Sequence, residues 1–193
     1  NLAAIYIAQG LYEKAKAVLE DYLTNIQDKD IIRYLLASDY LCQRKYDLAL
    51  IEADKAFSRD SVFYMNFCWI KGDIYHCQGE LSKAEEEYQK LLESKEQLSY
   101  LYGRNRLGAL YLLQGKFKAS EGQLKQGIEL AEKIGDKRWQ SDFHLKLAYL
   151  YLKSGNPAKA LEECDAARNG AAEMENISQQ RRALHYQGLA LLE

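Results

Sequence analysis

One small residue returns along the chain at Ala3, Ala37, Gly72, Gly108, Ala148 and Gly188, at intervals of 34, 35, 36, 40 and 40 residues. Three positions after each stand Tyr6, Tyr40, Tyr75, Tyr111, Tyr151 and finally Leu191. Four further on come Gly10, Arg44, Gly79, Gly115 and Gly155, and five beyond those Ala15, Ala49, Ala84, Ser120 and Ala160. Self-similarity at such a period marks one supersecondary unit repeated in tandem, a unit that buries its apolar face only by stacking on its neighbours.

Each unit reads as two antiparallel helices. The first half carries helical spacing, as in Leu107, Gly108, Tyr111 and Leu112, and the second resumes it, as in Ala84, Tyr88 and Leu91. Glycine between the halves supplies the positive φ that ends a helix. In the fifth unit Asn156 suits an N-cap and Pro157 the first helical position. The small residues let two helix backbones approach, with the tyrosine expected to fill the gap beside them. A single Pro and 12 Gly in 193 residues leave room for long helices. A lone helix of about 14 residues is marginal in water, so each hairpin needs its neighbours.

The pattern Leu107-Gly108, Tyr111, Gly115, Phe117, Ser120 and Leu124 resembles the tetratricopeptide repeat, and the likeness covers essentially the whole chain. The resemblance implies an all-α fold, a right-handed α-α superhelix or solenoid of about five hairpins plus a final helix. The chain is then a single solenoid segment. Repeats are expected at about 1–26, 30–60, 62–95, 100–134 and 140–170, with a partial one at 177–193. Departures are mild: Arg44 replaces a turn glycine, Lys71 and Gln187 replace the usual leucine, and Pro157 replaces an aromatic. The proline that commonly closes a repeat is absent. The last two intervals exceed 36 by four residues, about one helical turn, so the helices can lengthen without rotating the buried face. The segment Ala131–Asp136 resembles the longer repeats of kinesin light chains and of many signalling or regulatory proteins. The first motif is half complete at Asn1 and the last is cut at Glu193, so the sequence reads as a piece of a longer protein.

Composition narrows the function classes. Hydrophobic residues make up 48% and charged residues 28%, ordinary globular usage, and the net charge is −2. Nucleic-acid binders need a basic surplus to neutralise phosphates, so no nucleic-acid partner is expected. No apolar stretch reaches the roughly 18 to 20 residues that span a bilayer, and no basic lead-in marks a signal peptide. No membrane association and a cytoplasmic setting are expected.

The four cysteines fit reduced thiols. Cys42 and Cys77 hold equivalent slots in successive repeats, about 10 Å apart at helix-packing distance, beyond the roughly 7 Å a disulfide allows. Cys68 and Cys77 are nine residues apart on one helix, about 13 Å, which also forbids a bridge. Cys164 fills a second-helix slot normally held by a core hydrophobe. His76 and Cys77 diverge by about 100° around their helix, poor geometry for one metal. There is no paired Cys-x-x-Cys, His-Glu-x-x-His or phosphate-cradling glycine loop. The acidic run Glu85-Glu86-Glu87 suits a solvated face better than an acid/base pair. No cofactor, no metal and no catalytic residues are expected, and the chain does not read as an enzyme.

The resemblance also implies a concave wall built from the first helix of every repeat. Counting six and three residues before the small residue, then one and four after it, gives Ile31, Tyr34, Ser38 and Leu41, then Asn66, Trp69, Asp73 and His76. The next two repeats contribute Tyr102, Asn105, Ala109 and Leu112, then Asp142, Leu145, Tyr149 and Leu152. Arg106, Lys146 and Lys153 lie on the edge of this face. The candidate peptide-binding residues are therefore Tyr34, Trp69, Asp73, Tyr102, Asn105, Arg106, Lys146, Tyr149 and Lys153. Tyr, Trp and Arg dominate binding hot spots, Asn105 offers paired donor and acceptor groups to a peptide backbone, and Arg106 with Lys146 suits a carboxylate. The plainer reading leaves the aromatics packed between adjacent helices and the cations on a solvated rim.

Tetratricopeptide domains that hold chaperone C-termini use a Lys/Asn pair, an Asn and a Lys/Arg pair on three consecutive first helices. No register of this chain reproduces that clamp. The function expected is a protein–protein interaction scaffold that binds a peptide or protein segment in its concave groove, with room for an acidic contact, as a regulatory or assembly module of a larger protein. The alternatives are end-to-end self-association through exposed end repeats, giving a homo-oligomer, and an RNA-binding helical repeat.

Overall fold

A computed structural model describes residues 2–25, 29–55 and 63–192. The segments 26–28 and 56–62, where the expected ends of the first two repeats and the start of the third fall, lie outside the described residues, as do Asn1 and Glu193. Among the described residues there are eleven helices and no strand, and the helices pair as five hairpins and a last helix. They divide into two compact units, Asn1–Leu91 and Leu92–Glu193.

The first unit holds α1 (Leu2–Ala8), α2 (Tyr12–Asn25), α3 (Asp30–Cys42), α4 (Tyr46–Lys55), α5 (Tyr64–Gln78) and α6 (Leu81–Leu92). Its first helices touch in succession, α1 on α3 and α3 on α5. Leu36, Phe67, Ile70 and Ile74 form its core. The turn after α5 closes with Gly79 at φ 81°, its N–H donating to His76 O while Glu80 N–H reaches Tyr75 O, the pairing that satisfies a helix C-terminus. Arg44 makes the equivalent turn with φ 60° and no glycine.

A Cβ on Gly72 would stand 2.4 Å from Tyr88 Cε1, so this position demands glycine. The ring filling that gap belongs to Tyr88 on α6, and at Gly108 it is Leu124 that closes in, at 2.6 Å. This corrects the expectation that the tyrosine three residues on fills the space. A side chain on the antiparallel partner helix faces the glycine, whereas a residue three positions along the same helix lies beside it.

Two polar side chains stand in core slots of this unit. Lys71, in place of leucine, is buried and meets Asp54 on α4 at 2.7 Å. Asp39 is 0% exposed, where the matching slots hold Ile74, Leu110 and Leu150. One oxygen accepts from Gln43 Nε2 at 2.9 Å, and Oδ1 has no partner among the described residues. Burial, the main cause, raises the Asp39 carboxyl above its ordinary value, against the opposing hydrogen bond from Gln43.

The second unit is far more regular. It holds α7 (Gln97–Leu113), α8 (Phe117–Lys133), α9 (Lys137–Lys153), α10 (Pro157–Glu173) and α11 (Ile177–Ala190). The first four are 17 residues each, and every joint is a three-residue turn whose middle residue has positive φ. Those middle residues are Gly115 (70°), Gly135 (72°), Gly155 (71°) and Glu175 (54°). Two such helices and two such turns account for the 40-residue spacing. Asp136, Asn156 and Asn176 cap the next helix, each side chain accepting a backbone N–H from its first turn. Because Asp136 sets the start, α9 and α10 together run 137–173, wider than the expected 140–170.

Between hairpins α8 and α9 approach closely at Gly127, where a Cβ would lie 2.3 Å from Phe143 Cζ. Leu101, Leu124, Phe143, Leu147 and Leu150 build the core around it. The first helices again touch in order, α7 on α9 and α9 on α11. That row of three helices positions the candidate site.

Candidate functional site

In the second unit the first-helix wall carries two cavities. The larger, about 600 Å³, is polar and includes Tyr102, Asn105 and Arg106 from α7, Trp139, Asp142 and Lys146 from α9, and Gln179 and Arg182 from α11. The smaller, about 210 Å³, is mainly apolar and lies among Gly108, Ala109, Leu112, Leu145, Tyr149 and Tyr186. Lys146 and Arg182 line both. The counting rule applied to α7 and α9 selects this surface because the 17-residue helices keep their inward faces in phase. Of its eight residues there, Leu152 alone lines neither cavity.

Asp142 is the electrostatic centre. Asn105 Nδ2 donates to its Oδ2 at 2.7 Å, while Lys146 Nζ stands 3.9 Å from Oδ2 and Arg182 Nη1 3.5 Å from Oδ1. Burial pushes the Lys146 ammonium below its ordinary value; Asp142 opposes that shift, and Arg182 and Arg106 add to it by repulsion. Asn105 is buried, and one of the two N–H donors of its amide is spent on Asp142 inside the protein. Its position makes it the residue that orients Asp142.

The aromatic residues hold one another. Tyr102 meets Trp139 edge-on at 4.9 Å between ring centroids, and Tyr149 stacks on Tyr186 at 5.7 Å. Lys153 Nζ lies 5.5 Å over the Tyr149 ring, along the same wall. Tyr102, Asn105, Arg106 and Lys146 are thus brought to one cavity, with Tyr149 at the next and Lys153 beside it.

The remaining three candidates belong to the first unit. Tyr34 sits edge-on to Phe67 at 6.1 Å and tilted to Trp69 at 6.4 Å, so the two candidate aromatics share the α3–α5 contact. Asp73 accepts a hydrogen bond from the buried Tyr88 hydroxyl at 2.6 Å. The first unit therefore presents an aromatic pair whose neighbouring carboxylate is held by the core.

Trp139, Gln179, Arg182 and Tyr186 are absent from the residues that the sequence selects. Arg182 stands six residues before Gly188, the offset that selects Tyr102 and Asp142, so extending the count to the last helix finds it. Trp139 and Gln179 occupy the turn before that offset, where the counting rule does not reach.

Among the described residues no helix is long and apolar enough to cross a membrane, and no three His, Cys, Asp or Glu side chains come together to hold a metal ion. All four cysteines are free, with Cys42 and Cys77 exposed and Cys68 and Cys164 buried.

The profile of the tetratricopeptide repeat-like domain family matches residues 1–110. No curated protein sequence matches the chain. Two crystal structures share its fold at identities that speak for the fold alone. One is a Signal Transduction ATPase with Numerous Domains protein with a tetratricopeptide repeat sensor from Pyrococcus horikoshii. It is similar at a TM-score of 0.86 and 18% identity, over 99% of this chain and 32% of that one. This chain thus spans about a third of the Pyrococcus protein. The other is a thermophilic tetratricopeptide repeat protein of Thermus thermophilus, with a TM-score of 0.74 and 21% identity over 100% of this chain and 96% of that one.

Proposed function

The chain belongs to the tetratricopeptide repeat-like family, and from that premise we propose that it is a non-catalytic, cytoplasmic scaffold whose second unit holds a peptide or protein segment of a partner. The observation that carries this reading is the polar cavity on the α7–α9–α11 wall. It combines aromatic side chains with four basic residues, Arg106, Arg138, Lys146 and Arg182, against two acidic ones, Asp136 and Asp142. Solenoids of this kind offer extended binding surfaces, and aromatic and arginine side chains supply most interface energy. The surplus of positive charge suits a partner with an acidic contact.

In the Pyrococcus protein the tetratricopeptide repeats are described as a sensor. A regulatory or assembly arm of a larger protein is the corresponding role for this chain. The test is capture of partners from native lysate with the chain and with Tyr102→Ala and Arg106→Glu variants of unchanged helicity. Partners should be retained by the native chain and lost from both variants. Identical partner sets from all three would sink the reading.

A second reading, self-association, is favoured by the apolar side chains that α11 leaves exposed, Leu184 at 53% and Leu189 at 41%. A Cβ on Gly188 would meet nothing, whereas Gly72 and Gly108 are closed by a second helix. Light scattering should then show mass rising with concentration, and a monomer at high concentration would remove this option.

A further inference from the structure

The two cavities of the second unit meet at Lys146 and Arg182, and this junction specifies more than an acidic contact. Each cation faces Asp142, the one carboxylate paired with either of them among the described residues. The separations of 3.9 and 3.5 Å exceed the roughly 2.7–2.9 Å of a charge-assisted N–H···O bond. The short bond of Asp142 goes to Asn105 instead, at 2.7 Å. Asp142 is therefore bonded most closely to a buried amide, with Arg182 at the long limit of a hydrogen bond and Lys146 beyond it. At the junction Lys146 and Arg182 share the one carboxylate of Asp142, and the cavity around them keeps its basic excess, so the site favours an acidic group.

The apolar cavity begins at once beyond the junction. Along α7 the polar floor is centred near Arg106 and Tyr102, and the apolar floor near Ala109 and Leu112. Six or seven residues of helix separate these centres by about 9–10 Å. An extended peptide advances about 3.3 Å per residue, so three residues span that distance, and two, whose side chains share one face, span about 6.6 Å of it. The stacked Tyr149 and Tyr186 rings give the apolar cavity a flat wall.

We propose that this junction reads a short linear motif on a partner: an Asp or Glu whose carboxylate is received by Lys146 and Arg182, with a bulky aliphatic side chain two or three residues away entering the cavity beside Ala109. Asp142, oriented by Asn105, is the positioning residue for both cations. This rests on the peptide-holding role proposed above and narrows it to one chemistry. The reduced proton affinity that burial gives Lys146 supports it, since a second carboxylate would offset the cost of keeping that ammonium desolvated.

The experiment selects a display library of random octapeptides on the full chain, then measures the best synthetic peptide by calorimetry. Selected sequences should pair an acidic residue with Leu, Ile or Met two or three positions away. Replacing the acid by its amide should weaken binding about tenfold, the loss expected for a half-exposed charge pair. Arg182→Glu should abolish binding of the acidic peptide, and the same peptide with Lys in place of the acid should regain it, a rescue that a purely structural role would not give. Ala109→Trp, which fills the apolar cavity, should remove the aliphatic preference and keep the acidic one. Selected peptides lacking the acid–aliphatic pair, or an amide swap without effect, would overturn the motif while leaving the peptide-holding role intact. Failure to select any peptide would overturn both.

Discussion

The two units are built from the same repeat and differ in how strictly they keep it. In Leu92–Glu193 four helices of equal length are joined by identical turns, three of them followed by a side-chain cap. In Asn1–Leu91 the three helices with both ends among the described residues, α3, α5 and α6, run from 12 to 15 residues, and Lys29 and Phe63, which precede α3 and α5, make no side-chain cap bond. The first unit also places Asp39 and Lys71 where the second has leucines. Equal helix lengths keep successive inward faces in register, which is how residues as far apart as Asn105, Asp142 and Arg182 reach one cavity. Regularity here serves the site as much as stability.

The largest perturbation of that contrast is removal of the ring that fills the Gly127 approach. Phe143→Ala should cost the second unit about 3–5 kcal/mol, and Gly127→Ala, which forces a Cβ against the same buried ring, about 1–3 kcal/mol. Segment-resolved hydrogen exchange should show the loss in α8 and α9 first. Equal loss of protection in α3 and α4 would show that the units do not respond separately.

Next in size is the reverse experiment. Asp39→Leu gives the first unit the side chain the second already has, and should stabilise it by about 1–3 kcal/mol by removing a buried, half-satisfied carboxylate. The pH dependence fixes the mechanism. The folded Asp39 pKa is raised, so its favourable contribution is present at acid pH and is lost as pH rises from the ordinary carboxylate value through the raised one. Denaturation curves of the variant should lack that fall, and an unchanged pH profile would refute the assignment.

Smaller effects come from the turns. Glu175→Gly should relieve a positive φ and stabilise the second unit by about 1 kcal/mol. Arg44→Gly should gain less in the first unit, because Arg44 Nε donates to the Tyr46 hydroxyl at 3.2 Å and the substitution forfeits that bond. Equal gains in thermal midpoint would mean the bond contributes nothing. Smallest is a chemical contrast without change in stability. Exposed Cys42 and Cys77 should react with a thiol reagent in the native protein, while Cys68 and Cys164, buried with thiols pushed up to about 11, should react after denaturation.

The hairpins were legible because the residues that make them are local: a small residue, its partner across the turn, and a glycine that ends a helix. The 40-residue spacing was legible too, but its cause was not. Gly115, Gly135 and Gly155 mark a turn every 20 residues, and indexing from the first helices passes over Gly135. Glu175 then breaks the series with a residue that does not announce a turn. For the site, the face containing Tyr102, Asn105 and Asp142 followed from helical periodicity. The role of Asp142 did not, because its partners lie 37 and 40 residues away and their convergence depends on hairpin stacking. Asn105 shows the same limit, since an amide that looks free in sequence is committed to a neighbouring helix.

The uniform joint has a consequence for how such a surface can change size. Every 20-residue module in this region ends in the same bend, so any one of them could be spliced out without creating a foreign junction. Loss of a single module would nonetheless reverse the direction of every helix after it and turn outer helices onto the groove. Only paired modules preserve the polarity of the helices downstream. The groove can therefore gain or lose length in steps of 40 residues, with its chemistry rewritten one hairpin at a time.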